Sequence, residues 1–119
     1  MKKTVMLVED DDVSQLLIKE LLDDAGIALI CESHGLKGLQ KFKKIHNSLE
    51  MVILDIRLPD TDGIRIQNLM RIIRPEIPII AFTALDAEVR RRCFDEGFND
   101  VLEKPLNYQR FSEVLEAYL

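Results

Sequence analysis

Nowhere in the 119 residues does an apolar run approach the length of a membrane-crossing helix. The longest, such as Ile77 to Leu85, fall far short of the roughly 20 residues a bilayer demands. A secretory leader is not expected either. The start, Met1-Lys2-Lys3-Thr4, is basic, but the acidic run Glu9 to Asp12 follows before any signal-length apolar core can form. An excess of positive charge is lacking: 16 Lys+Arg against 21 Asp+Glu give a net charge of −5 and a pI near 5.0. That balance argues against broad, non-specific nucleic-acid binding, which needs a basic footprint. Cysteine is scarce, and Cys31 and Cys93 stand far apart in apolar settings, as buried thiols of a reducing compartment do. No Gly-, Ser- or Pro-rich tract, linker or internal repeat divides the chain, and no G-x-x-x-x-G-K-[ST] loop points to nucleotide hydrolysis. At 47% hydrophobic and 31% charged residues the chain is not intrinsically disordered. The expectation is one cytoplasmic domain over residues 1–119, without membrane contact or direct nucleic-acid binding.

What is present is a regular alternation. Thr4 to Val8 is β-rich and almost wholly apolar, like a strand buried on both faces. Val13 to Ala25 places Val13, Leu16, Leu17, Ile18, Leu21 and Leu22 at helical spacing, with Gly26 as the stop and Asp12 as a cap. A strand at Ile27–Cys31 and a helix at Gly35–Asn47 follow, the helix with Leu36, Leu39, Phe42 and Ile45 turned inward. Met51 to Leu54 forms a strand that stops at Asp55, and Pro59 and Gly63 mark an irregular loop. Then come helix Ile64–Arg74, strand Ile77–Phe82, helix Asp86–Glu96, strand Asn99–Glu103 and helix Asn107–Leu119. Apolar strands separated by helices imply a parallel sheet covered on both faces, and right-handed crossovers make it doubly wound.

Ligands of such sheets lie beyond the carboxyl ends of the strands. The residues there are Glu9, Asp10, Asp11 and Asp12 after the first strand, Asp55 after the third, Thr83 after the fourth, and Lys104-Pro105 after the fifth. Taken singly, an acidic turn, a strand-end threonine and a Lys-Pro pair are ordinary. Together on one edge they are not. Carboxylates crowded there repel, and a divalent cation relieves them; hard oxygen ligands with room for water and phosphate suit Mg²⁺. A carboxylate nucleophile, Mg²⁺, a lysine and a hydroxyl make a phosphoryl-acceptor set whose product is an aspartyl-phosphate.

The motifs Leu7-Val8-Glu9-Asp10-Asp11, Asp55-Ile56-Arg57-Leu58-Pro59-Asp60-Thr61-Asp62-Gly63, Phe82-Thr83-Ala84 and Lys104-Pro105 resemble, over essentially the whole chain, the response-regulator receiver domain of two-component signalling. The resemblance implies a flavodoxin-like five-stranded sheet of order 2-1-3-4-5. It implies Asp55 as phosphoacceptor, Thr83 as the switch hydroxyl and Lys104 as the lysine paired with the phosphoryl group. Mg²⁺ would bind the side chains of Asp10 and Asp55 and the carbonyl of Arg57, with Glu9 acting through water. A cis bond before Pro105 is part of the same pattern.

Two positions depart from the family's commonest sequence: Val101 stands where Tyr or Phe is frequent, and Leu106 where Phe is frequent. Without the ring at 101, phosphoryl relay is favoured over allosteric output. The implied partners are a histidine kinase or its phosphotransfer domain and, downstream, a histidine phosphotransfer protein. Side chains two residues after Asp55 and Thr83, here Arg57 and Leu85, flank the approach of hydrolytic water in this family, which implies slow loss of the phosphoryl group. A Mg²⁺-dependent phosphatase with an aspartate nucleophile is the alternative from another class, but it needs a second aspartate where Arg57 stands. A pseudo-receiver scaffold, the third reading, would not need the intact Glu9, Asp10, Asp55, Thr83 and Lys104 set.

Overall fold

The computed structural model describes residues 2–84 and 86–119. Five strands, β1 (Thr4–Val8), β2 (Ala28–Glu32), β3 (Met51–Asp55), β4 (Ile79–Ala84) and β5 (Asp100–Lys104), alternate with five helices. The helices are α1 (Asp12–Asp24), α2 (Gly35–Ile45), α3 (Gly63–Ile73), α4 (Ala87–Asp95) and α5 (Tyr108–Tyr118). All strand pairs are parallel, and the sheet order is β2-β1-β3-β4-β5, the flavodoxin-like order that the resemblance implied.

Alternation along each strand divides the core into two layers. Met6, Val8, Val52, Leu54, Ile79, Ala81 and Val101 point to one face, where they pack with Leu39 and Phe42 of α2, Ile66 and Met70 of α3 and Cys93 of α4. Val5, Leu7, Met51, Ile53, Ile80, Phe82 and Leu102 point to the other, against Ile18 and Leu22 of α1 and Phe111 and Val114 of α5. Buried on both sides, the strands need the continuous apolar runs that mark them in the sequence. Met51 and Met70 are fully buried filler in this core.

The helix ends follow local chemistry. Asp11, not Asp12, caps α1: its carboxylate accepts from the Ser14 amide (2.9 Å) and hydroxyl (2.7 Å), because Asp12 already has helical backbone. Beyond α1, the amides of Gly26 and Ile27 return to the carbonyls of Asp23 (3.0 Å) and Leu22 (2.8 Å), a Schellman closure. The apolar face of α1 is narrower than its spacing suggests. Ile18 and Leu22 are buried, but Val13 is 74% and Leu16 58% exposed, and Leu17 is also exposed. Leu36 on α2 likewise faces outward. β4 begins at Ile79, since Ile77 and Pro78 lead into the sheet without pairing as strand, and it runs on through Thr83 to Ala84.

Candidate functional site

In a parallel sheet every strand delivers its carboxyl end to the same edge. The order reverses around β1 and β3, and these adjacent strands supply Glu9, Asp10 and Asp55. β4 and β5, the next two strands, bring Thr83 and Lys104 to the same edge. The structure thus gathers the strand-end residues at one edge of the sheet. Glu9, Asp55 and Thr83 are buried, whereas Asp10 and Arg57 are exposed.

The centre of the cluster is Lys104. Its ammonium donates to both oxygens of Glu9, at 3.0 Å to Oε1 and 2.9 Å to Oε2, and to Oδ2 of Asp55 at 3.1 Å. The ammonium also lies 4.9 Å from the centroid of the Phe82 ring, which lends it a cation–π partner. Asp55 Oδ1 accepts from the Arg57 amide (3.0 Å), and Glu9 Oε1 accepts from the Asp11 amide (3.1 Å). Burial, reinforced by the neighbouring Asp55 carboxylate, pushes the Glu9 carboxyl up to about 7 despite the lysine beside it. Burial opposes charge on Lys104 as well, but pairing with Glu9 and Asp55 outweighs it and holds the ammonium above its ordinary range.

Carboxylate oxygens of Glu9, Asp10 and Asp55 lie within 4.8 Å of one another. Three hard, anionic oxygen donors this close, one exposed to water, fit a small divalent cation of the Mg²⁺ type. Burial first, and the Asp55 carboxylate beside it, disfavour charge on Glu9, and a cation in the cluster would offset both. Arg57 contributes no side chain to the cluster; its backbone bridges to Asp62 across the loop after β3. Thr83 stands at the same strand-end edge without joining the ion pairs, its hydroxyl making one long contact (3.4 Å) to the Ala84 carbonyl. Leu85, expected to screen the approach of water, lies outside the described residues. Val101 is buried on β5, in the core layer shared with α2, α3 and α4, and the Lys104–Pro105 peptide is cis.

The loop after β3 is bound tightly to the strand it leaves. The Gly63 amide donates to the Ile56 carbonyl (2.7 Å), and a Cβ at Gly63 would sit 2.1 Å from the Asp55 carbonyl oxygen. Only glycine permits that approach. Two supporting residues were given no role by the sequence, although Asp60 lies within the Asp55–Gly63 motif. Gln15 on α1 donates to the Glu9 carbonyl and to the Ser33 hydroxyl (3.1 Å), tying the β1 and β2 ends together. Asp60 accepts from the amides of Gly35 (2.8 Å) and Leu36 (2.9 Å). Their partners are distant in the chain, so only their polarity in an otherwise ordinary stretch could have drawn notice.

The family model for the response regulator receiver domain matches residues 5–116. Among curated proteins, the polar-differentiation response regulator DivK of Brucella ovis is 30% identical over 122 residues, covering 100% of this chain and 98% of that protein. The hybrid signal transduction protein dokA of Dictyostelium discoideum is 31% identical over 121 residues, covering 99% of this chain but only 7% of dokA. Among solved structures, the receiver domain of the sensor histidine kinase PA1611 from Pseudomonas aeruginosa, which holds a magnesium ion in its active-site cleft, superposes with a TM-score of 0.88. Its identity is 26%, over 99% of this chain and 98% of that one. With the fold, the gathered strand-end residues and these matches agreeing, the chain belongs to the response regulator receiver domain family.

Proposed function

We propose that this receiver domain accepts a phosphoryl group on Asp55 from the phosphohistidine of a histidine kinase or its phosphotransfer domain, then relays it to a phosphotransfer histidine or switches a partner. The observation that carries this reading is the Lys104 ammonium bridging Asp55 and Glu9 at the switch point of the sheet. An Asp55 oxygen forms the new P–O bond as the P–N bond to the donor breaks and its electron pair returns to the imidazole. Lys104 holds positive charge beside the incoming phosphoryl oxygens, and the Thr83 hydroxyl donates to one of them. Mg²⁺, held by Asp10, Asp55 and the Arg57 carbonyl with Glu9 acting through water, would neutralise charge on the transferred group.

The domain catalyses only its own phosphorylation and dephosphorylation. A phosphatase would need an acid–base carboxylate two residues beyond Asp55, and the exposed Arg57 there is always protonated. Relay is favoured by Val101, which has no ring to carry a switch outward, and by the likeness to the hybrid signal transduction protein dokA and to the receiver domain of a sensor histidine kinase. The free thiols of Cys31 and Cys93 suit the cytoplasm, where such donors act.

The test is uptake from acetyl phosphate with Mg²⁺, read by intact mass. The wild type gains one phosphoryl group and Asp55→Asn gains none. Equal labelling of the two proteins would refute the assignment.

A further inference from the structure

We propose that Asp60 is a positioning residue for the metal side of this site, latching the loop that carries Arg57 onto the N-terminus of α2. The inference rests on the Mg²⁺ reading above and assigns a role to a residue outside the cluster itself. The cap position of α2, His34, makes no side-chain hydrogen bond to the helix. The orphan amides of the first turn are met instead by Asp60, 25 residues along the chain from Gly35, one carboxylate oxygen to each of Gly35 and Leu36. The two surfaces fit closely: a Cβ on Gly35 would come within 2.4 Å of Thr61 Cγ2 and 3.1 Å of Leu58 Cδ1.

The loop is therefore fixed at two points. Its base is closed by the Gly63 amide on the Ile56 carbonyl and by the bridge between Arg57 and Asp62. Its tip is held by Asp60. Arg57 belongs to the base, bridged to Asp62 and with its amide on Asp55 Oδ1, so while the tip is also held its backbone has little freedom to turn away. Releasing the tip leaves the base contacts alone to hold Arg57, and a base without that support opens more often and lets the segment around Arg57 sample other orientations. A carbonyl that must point at an ion loses affinity when its orientation is no longer held.

The full chain tests this by Mg²⁺ titration followed by NMR, together with amide exchange at Gly35 and Leu36 with and without Mg²⁺. In the wild type, Mg²⁺ should slow exchange at both amides, because coupling between loop and ion is reciprocal. Asp60→Ala should weaken Mg²⁺ binding by about tenfold. At saturating Mg²⁺ its phosphorylation rate should return to nearly the wild-type value. Asp60→Asn keeps one acceptor oxygen and should fall between the two, and it carries the comparison if Asp60→Ala does not fold. A lowered melting temperature with unchanged Mg²⁺ affinity would overturn the inference and leave Asp60 a helix cap alone. Failure of the wild type to bind Mg²⁺ would overturn the metal reading, and this inference with it.

Discussion

Lys104 supplies, in the metal-free protein, part of the positive charge that the carboxylates demand. Its removal leaves Glu9 and Asp55 facing each other in a buried cleft with no cation between them. Lys104→Ala should therefore destabilise the protein by about 3 kcal/mol in chelator, less any relief from protonation of Glu9. Millimolar Mg²⁺ should shrink that loss, which urea melts with and without Mg²⁺ would show. Glu9→Gln moves in the opposite direction. It removes the charge that burial most disfavours and keeps an oxygen for Lys104, so metal-free stability should rise while Mg²⁺ affinity falls. At this scale Glu9, Asp10, Asp55, Thr83 and Lys104 were legible as candidates because each ends or follows a strand near its carboxyl end. Asp60 and Gln15 were not, since their partners lie 25 and 18 residues away and become neighbours only once α2 and β2 are in place. Asp11 was missed as a cap in favour of Asp12 by one residue, the usual margin at a helix end.

Elements hold the site through their termini. The start of α3 is pressed against the end of β3 at Gly63, where any Cβ meets backbone atoms that cannot step aside. Gly63→Ala should cost about 2 kcal/mol or more, by denaturant melt, and slow phosphoryl uptake because Asp55 must shift with its carbonyl. At the start of α2, the Leu36 amide first, and the Gly35 amide with it, hold the Asp60 carboxyl below the usual carboxylate value of 3.8. A carboxyl depressed in the folded state adds stability above its unfolded value, lost as the pH falls through the folded one. The stability difference between wild type and Asp60→Asn should thus be constant near neutrality and shrink below about pH 4. Element type was readable from the period of the apolar residues, but the width of the buried face was not. The spacing in α1 admits Val13, Leu16 and Leu17 as well as Ile18 and Leu22. Only the seat of the helix on the sheet decides that the first three face away from the core.

For the molecule as a whole, the doubly wound order could be reached from periodicity only as far as a parallel, two-faced sheet. The sequence of strands 2-1-3-4-5 came through the motif resemblance and is what the structure has. That order matters because it seats Asp55 beside Glu9 and Asp10, with Lys104 reaching across from the sheet's edge. An ion that binds this folded cleft and not the unfolded chain raises the melting temperature by mass action, by about 1.4 kcal/mol of stability at ten times its dissociation constant. Beryllofluoride, standing in for the phosphoryl group on Asp55, should raise it further. A melt indifferent to millimolar Mg²⁺ would count against the site. With Val101 buried and carrying no ring of its own, amide shifts on beryllofluoride binding should stay small along β5 and α4, as read by NMR. The most direct test locates the phosphoryl group itself. Borohydride cleaves an acyl phosphate and reduces the aspartate that carried it to homoserine. After incubation with acetyl phosphate and Mg²⁺, peptide mass spectrometry should find homoserine at position 55 and nowhere else. Homoserine at position 10, or no reduced residue in a protein shown to be phosphorylated, would contradict the account.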